Sequence, residues 1–76
     1  MGLCSSIYFS PFYGFGDTRN QACDNLITNM KHYGCIKIKT DGLKSEIPYI
    51  AYSYGGSNFT SHLNYDKISD KVWIYI

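Results

Sequence analysis

The sequence predicts an α+β fold of two layers, with one helix packed on one face of a mostly antiparallel sheet of roughly four to five strands. Two observations lead to this prediction. Residues 18–33 carry apolar side chains at helical spacing, and the segments on either side alternate between apolar and polar residues, as half-buried strands do. The predicted order is β-α-β-β-β-β. A chain of 76 residues without a linker-like stretch has room for one core, so a single domain is expected over residues 1–76.

The helix over residues 18–33 is predicted from its apolar stripe and from both of its ends. The stripe follows helical spacing and consists of Ala22, Leu26, Met30 and Tyr33, with Cys23 and Ile27 beside it. Thr18 and Gln21 have the spacing of a capping box, in which each side chain accepts a hydrogen bond from a backbone N–H of the first turn. Asp17 is the alternative cap. Gly34 can take the left-handed conformation that ends a helix.

Strands are predicted from two-residue alternation at residues 3–10, 35–40, 47–54, 59–65 and 72–76. In the segment that follows the helix, we expect Ile36 and Ile38 to point inward and Lys37 and Lys39 to point outward. The last segment sets its aliphatic residues against Lys71, Trp73 and Tyr75. These segments together would supply the sheet on which the helix packs.

Glycines and polar residues mark the connections between the strands. Asp41-Gly42 and the run Gly55-Gly56-Ser57-Asn58 are turn signals, and residues 66–70 are predicted as a polar turn. Residues 10–17, which include Gly14 and Gly16, are predicted as a connector. An uncovered edge at residues 3–10 or 72–76 would allow a homodimer through an edge strand.

Charge and cysteine content restrict the function classes. The formal net charge of +1 argues against a general nucleic-acid binder, which needs a basic surface to neutralise phosphates. The three cysteines contain no CxxC pair, and this odd count fits reduced thiols better than a disulfide framework. No signal peptide or long apolar span is apparent, so a cytoplasmic location is expected.

The N-terminus carries a possible acylation signal. Residues 1–6 match the N-myristoylation pattern at Gly2, and Cys4 could be palmitoylated beside it. Two acyl chains would anchor the protein to a membrane, so an N-acylated, membrane-associated protein is one alternative. The other interpretation is a start codon followed by the strand at residues 3–10, and without acylation no membrane partner is expected.

The connector before the helix allows two interpretations. A strand, a Gly-x-Gly sequence and a helix N-terminus can together bind an anion, and Arg19 could add a charged contact. Against this, the third glycine of a dinucleotide fingerprint is absent and Asp17 would repel a phosphate. The alternative is that Gly14 and Gly16 only let the chain turn, while neighbouring rings cover the helix end.

Aromatic residues are the strongest candidates for a contact surface, since they make up 17% of the chain. A connector with three rings in four residues cannot easily bury all of them, and period two divides the tyrosines of residues 47–54 between two faces. Lysines on the strand after the helix add positive charge. The predicted partner-binding residues are Phe12, Tyr13, Phe15, Arg19, Lys37, Lys39, Tyr49, Tyr52 and Tyr54.

Catalytic and metal-binding patterns are not recognisable. Cys35 follows His32 by three residues, but a helix ends between them and no third group is placed to orient the base. The histidines and cysteines lack zinc-ligand spacing, and Glu46 is the sole glutamate. No catalytic residue, metal or cofactor is therefore predicted, and the chain is not expected to be an enzyme.

These observations favour a small non-enzymatic protein-binding module that covers a surface of a larger partner. Its size and near-neutral, ring-rich exterior are typical of viral or phage inhibitors of host machinery, including host defence. The alternative is a domain that binds single-stranded nucleic acid through tyrosine rings together with Lys37 and Lys39.

Overall fold

The structure, a computed structural model, describes residues 12–76. Its elements in chain order are β1 (Tyr13–Gly16), α1 (Arg19–Tyr33), β2 (Ile36–Thr40), β3 (Tyr49–Tyr54), β4 (Ser57–His62), β5 (Asn64–Ile68) and β6 (Lys71–Tyr75). The strands form two antiparallel three-stranded sheets, β1-β6-β5 and β2-β3-β4. The α+β prediction is confirmed. The strand predicted at residues 3–10 lies outside the described residues, as do Gly2 and Cys4.

The helix has the ends that the sequence predicts. The N-cap Thr18 accepts a hydrogen bond from the N–H of Gln21 at 3.2 Å, and the Gln21 side chain accepts one from the N–H of Asp17 at 2.9 Å. Thr18 thus caps the first turn as predicted, whereas Gln21 reaches the N–H of the residue before the N-cap and not that of Thr18 itself, so the arrangement is a variant of the capping box. At the other end Gly34 has φ 114°, and its N–H donates to the carbonyls of Met30 and Lys31. Both helix ends are fixed by capping residues close to them in sequence, and few other residue types can cap a helix in these ways.

One face of α1 enters the core, as its apolar stripe predicts. Ala22, Leu26 and Met30 are fully buried, whereas Tyr33 remains 55% exposed at the last turn. Tyr33, the last residue of the predicted stripe, is therefore not part of the buried face. The position of Tyr33 instead lets its ring contact two other rings.

Replacing Leu26 by alanine is expected to destabilise the protein by about 2–5 kcal/mol, because it removes a fully buried side chain from between helix and sheet. Urea unfolding followed by circular dichroism measures this loss. Ile27→Ala is the matched control, since Ile27 is half-buried on the same helix and should lose less. Equal losses at the two positions would contradict the orientation of α1.

β1 lies within residues 10–17, which the sequence predicts as a connector, and this prediction is wrong for residues 13–16. Tyr13 pairs with Tyr75 and Gly16 with Val72, so the strand is made by pairing with the end of the chain. The helix packs directly against β1 and runs alongside it. A Cβ atom placed on Gly14 would lie 2.3 Å from the backbone nitrogen of Leu26, so glycine is required for this contact.

The division into two sheets occurs at Leu63. The prediction of a continuous strand over residues 59–65 is wrong, because the pairing partner changes there: His62 still pairs with Tyr49 of β3, whereas Asn64 pairs with Tyr75 of β6. Leu63 lies between them and is buried. After this break the chain pairs with β6 instead of β3. The polar turn predicted at 66–70 shrinks to Ser69 and Asp70, because Ile68 already pairs with Lys71.

The hairpin between β3 and β4 uses a tighter turn than the four-residue signal suggests. Tyr54 pairs with Ser57, so only Gly55 and Gly56 form the loop. Both glycines have positive φ, 60° and 82°, as a type I′ turn requires. Ser57 and Asn58 therefore belong to β4.

The alternation predicted for β2 is interrupted by a bulge. The register shifts between Ile36 and Lys39, and Lys37 has φ 54°. As a result Ile36 is 59% exposed, so the prediction that it points inward is wrong, whereas Ile38 packs against the core as expected. An extra residue in one strand reverses the face of the residues before it.

The helix and both sheets contribute to one core. Its buried residues are Phe12, Ala22, Leu26, Met30, Cys35, Ile50, Leu63, Val72 and Ile74. β6 is the middle strand of its sheet, so the prediction that residues 72–76 could form an edge is wrong.

Candidate functional site

Four aromatic side chains gather on the side of the β1-β6-β5 sheet opposite the helix. The register places Gly14 beside Ile74 and Gly16 beside Val72, and these residues face α1. Because side chains alternate along a strand, the residues between them point to the other side. We call the resulting cluster of Tyr13, Phe15, Trp73 and Tyr75 the ring face.

The rings of the ring face contact one another in sequence. Phe15 and Trp73 are stacked, with centroids 5.7 Å apart and planes 10° from parallel. Trp73 and Tyr75 lie 4.6 Å apart, and Tyr13 meets Phe15 edge-on at 5.8 Å. Such ring pairs stabilise each other beyond the area that they bury, by about 0.5–1.5 kcal/mol. The cluster is therefore preassembled.

Despite these contacts the ring face keeps apolar surface in contact with solvent. Tyr13 is 44% exposed and Phe15 is 46% exposed, while Trp73 and Tyr75 on the neighbouring strand are half-buried. An ion pair between Lys71 and Asp17, 2.5 Å apart, ties the end of β1 to the start of β6. Both of its side chains are largely exposed, so its contribution to stability is small.

Phe12 differs from the other two rings of its segment. It is only 7% exposed and meets Tyr33 and Tyr52 edge-on, with ring centroids at 5.0 Å and 5.8 Å. It therefore offers almost no surface to a partner, and the expectation that it is a contact residue is corrected. Tyr33 continues this cluster to Tyr54 at 5.5 Å.

The tyrosines of β3 divide between the two sides of their sheet, as period two predicts. Tyr52 and Tyr54 share the side of the fully buried Ile50. Tyr49 is on the opposite side and 46% exposed. The register pairs Lys39 with Ala51, which puts Lys39 on the side of Tyr49.

Lys37 lies in the bulge of β2 and does not continue the alternation of Lys39. The structure therefore brings Lys39 and Tyr49 to one surface and leaves Tyr52 and Tyr54 on the other. The predicted set of lysines and tyrosines is not a single site.

One of the two interpretations of the connector is an anion site at Gly14, Gly16 and the helix N-terminus, and helix backbone lies in the space beside both glycines. A Cβ atom on Gly16 would lie 2.5 Å from the backbone nitrogen of Ala22, so helix backbone occupies the space beside the glycines. Arg19 points elsewhere, with its guanidinium carbon 5.6 Å from the centre of the Tyr65 ring. The alternative interpretation, in which the glycines let the chain turn while neighbouring rings cover the helix end, is wrong, because Gly14 and Gly16 lie in β1 and allow the helix backbone to approach it.

The cysteines have the surroundings of structural side chains. Cys35 is 2% exposed, and burial raises the pKa of its thiol, which keeps it protonated. Burial first and the nearby Asp24 charge second raise the pKa of Cys23. Both shifts disfavour the thiolate that a nucleophile needs. Among residues 12–76 no three histidine, cysteine or acidic side chains are grouped to hold a metal ion.

Two members of the ring face, Trp73 and Tyr75, are missing from the residues singled out in the sequence. Their signal is the alternation of the last strand, which separates them from Val72 and Ile74. Tyr13 and Phe15 carry the same signal, since they alternate with Gly14 and Gly16. What the sequence does not provide is the pairing of these two segments, which lie at opposite ends of the described chain.

Within residues 12–76, no helix has the length and apolar character needed to cross a membrane. Comparisons with protein-family models, with curated proteins and with solved structures gave no match.

Proposed function

We propose that this chain is a non-enzymatic protein-binding module that uses the ring face to cover a surface of a larger protein. The observation that carries the proposal is the clustering of four rings on the sheet side opposite the helix, where Tyr13 and Phe15 keep nearly half of their surface exposed. Trp and Tyr are enriched among residues that dominate protein–protein binding energy.

Preassembly of the rings supports a binding role. A side chain that is already held by its neighbours loses little conformational freedom on binding, so more of the contact energy appears as affinity. The rings stand on strands rather than on a loop, and the glycines below them lock β1 against α1. A rigid apolar platform of this kind suits a preformed partner surface.

We place the partner among host proteins or complexes of the kind that small viral and phage inhibitors block, including defence machinery. The choice of partner follows an analogy with that class, and the net charge of +1 supports it. A near-neutral inhibitor acts by shape and apolar contact rather than by long-range attraction.

The second candidate function is binding of single-stranded nucleic acid. It is favoured by one observation, the presence of Lys39 and the half-exposed Tyr49 on the same side of β2-β3-β4. A cation beside a ring is the combination that holds a phosphate and stacks a base. The N-acylation alternative concerns Gly2, outside the described residues, and intact-mass measurement after expression with a myristoyltransferase tests it.

Tyr13→Ala is expected to weaken capture of the partner by about tenfold or more, because it removes an exposed ring from the ring face. Tyr49→Ala is the matched control: the residue type is the same, the exposed fractions are 44% and 46%, and Tyr49 lies on the other sheet. Tagged wild-type and variant proteins are incubated with candidate host lysates, with and without nuclease, and captured proteins are quantified by mass spectrometry.

The proposal requires nuclease-resistant capture that Tyr13→Ala reduces and Tyr49→Ala leaves intact. Capture that disappears with nuclease, depends steeply on salt and is reduced by Tyr49→Ala would instead support the nucleic-acid function. Circular dichroism of both variants confirms that they remain folded before capture is compared.

A further inference from the structure

Two asparagines of the helix bind the backbone of the neighbouring strand. The Asn29 Nδ2 atom donates to the carbonyl of Tyr13 at 2.6 Å, and the Asn25 side chain donates to the carbonyl of Phe15. These are side-chain contacts between a helix and the main chain of an adjacent β-strand. No feature of the ring face accounts for them, since they reach only backbone atoms.

The spacing of the two contacts follows from helix and strand geometry. Asn25 and Asn29 are four residues apart, which is about 6 Å along a helix. Tyr13 and Phe15 are two residues apart, which is about 6.7 Å along a strand. The two repeats nearly match, so consecutive asparagines on one helix face can bind alternate carbonyls of a strand that runs alongside.

The two carbonyls lie on the edge of β1 that faces away from β6. The carbonyl of Phe12 accepts a hydrogen bond from the N–H of Ile76 at 3.2 Å. The backbone carbonyl of Phe12 therefore points towards the β6 side of the strand. Backbone groups alternate between the two edges of an antiparallel strand. Tyr13 and Phe15 therefore present their carbonyls to the outer edge, and β1 is the end strand of its sheet in the described chain.

We propose that Asn25 and Asn29 close the outer edge of β1 to strand addition. An end strand with unpaired carbonyls and amides is a template for pairing with another chain. Here the two carbonyls that an added strand would need are already occupied, and the helix that carries the asparagines is held close by the glycines of β1. A second copy of this chain cannot extend the sheet at β1 without displacing both side chains.

Closure of this edge goes beyond partner binding at the ring face and does not depend on it. It gives a specific role to a pair of polar residues on a short amphipathic helix. It also leaves β5, whose residues are all exposed, as the other end strand of the sheet. Because the readouts below use the isolated protein, failure of the ring-face proposal would not affect them.

The double variant Asn25→Ala with Asn29→Ala tests edge closure. Its control is Asn20→Ala with Thr28→Ala, which replaces two exposed polar residues of α1 that are not among the side chains bonded to β1. Both pairs raise helix propensity to a similar extent, so a difference between them reports the lost hydrogen bonds. The single variants Asn25→Ala and Asn29→Ala serve if the double variant does not fold.

Amide hydrogen exchange by NMR and sedimentation velocity are measured for both pairs. We expect the amides of Gly14 and Gly16 to exchange about tenfold faster or more in the double variant than in the control, as for the loss of ordinary hydrogen bonds. We also expect self-association of the double variant to be at least about tenfold stronger than that of the control.

Either of two results overturns the proposal. Equal exchange in the two pairs would show that the asparagines do not hold β1. Faster exchange with unchanged self-association would show that they stabilise β1 without closing its edge.

Discussion

Replacing Gly14 by alanine is expected to destabilise the protein by about 3 kcal/mol or more, at the upper end of the cost of overpacking. The added methyl carbon would lie 2.3 Å from the carbonyl oxygen of Ala22 and 2.3 Å from the nitrogen of Leu26. Both are backbone atoms of the helix and cannot rotate away. Either α1 lifts from β1 or the strand leaves the sheet.

Gly42→Ala is the matched control, because it adds the same methyl group where no heavy atom beyond the adjacent residues lies within 4 Å. Gly42 has φ 72°, so alanine there is expected to cost roughly 1–2 kcal/mol of backbone strain. Thermal unfolding by circular dichroism compares the two variants, with about 4–8 °C expected per kcal/mol for a domain of this size. Equal melting temperatures would show that the helix does not approach β1 as closely as described.

The glycines of β1 and the asparagines of α1 act on the same helix–strand contact. Gly14 and Gly16 let the helix backbone approach the strand, and in this packing Asn25 and Asn29 donate to the carbonyls of Phe15 and Tyr13. A larger residue at Gly14 is therefore expected to disturb the edge as well as the packing. The Gly-x-Gly sequence thus permits the close approach of α1 to β1.

Features set by local chemistry are predicted correctly from the sequence. Thr18, Gln21 and Gly34 define the helix ends because capping depends on residues within a few positions of each other. The buried positions of α1 follow from a period that is fixed by helix geometry. The fold class is confirmed for the same reason, since one helix among alternating segments has few ways to bury its apolar face.

Features that depend on distant pairing are not predicted. β1 is assigned to a connector because glycines are turn formers in isolation, and only its pairing with β6 makes it a strand. The division into two sheets is a change of pairing partner between His62 and Asn64, which regular alternation over residues 59–65 cannot reveal. The bulge in β2 turns Ile36, which precedes it, away from the core, and alternation alone cannot reveal an extra residue.

Only part of the candidate site is predicted from the sequence, because it too depends on the pairing of distant segments. Tyr13 and Phe15 are predicted as contact residues from their density in a short segment, and both are exposed. Their companions Trp73 and Tyr75 become recognisable only when β6 is placed beside β1. The predicted set also joins Lys39 with Tyr52 and Tyr54, which the structure assigns to opposite sides of one sheet.

Phe12→Ala is expected to cost about 3–5 kcal/mol of stability, as for other buried aromatic side chains. The substitution empties a space between the last turn of α1, where Tyr33 lies at 5.0 Å, and Tyr52 of β3 at 5.8 Å. Phe12 is thus a link between the helix and the β2-β3-β4 sheet. Its loss should lower the midpoint of urea unfolding without changing the slope much.

Tyr13→Ala is the neighbouring control, since Tyr13 is 44% exposed on the ring face and should lose only about 1 kcal/mol. Phe12→Leu refines the test: leucine restores most of the apolar volume but not the edge-on ring contacts, each worth about 0.5–1.5 kcal/mol. Its stability should fall between those of wild type and Phe12→Ala. If Phe12→Ala unfolds with the same midpoint as Tyr13→Ala, Phe12 does not fill the core, and its ring would then belong with Tyr13 and Phe15 among the contact residues.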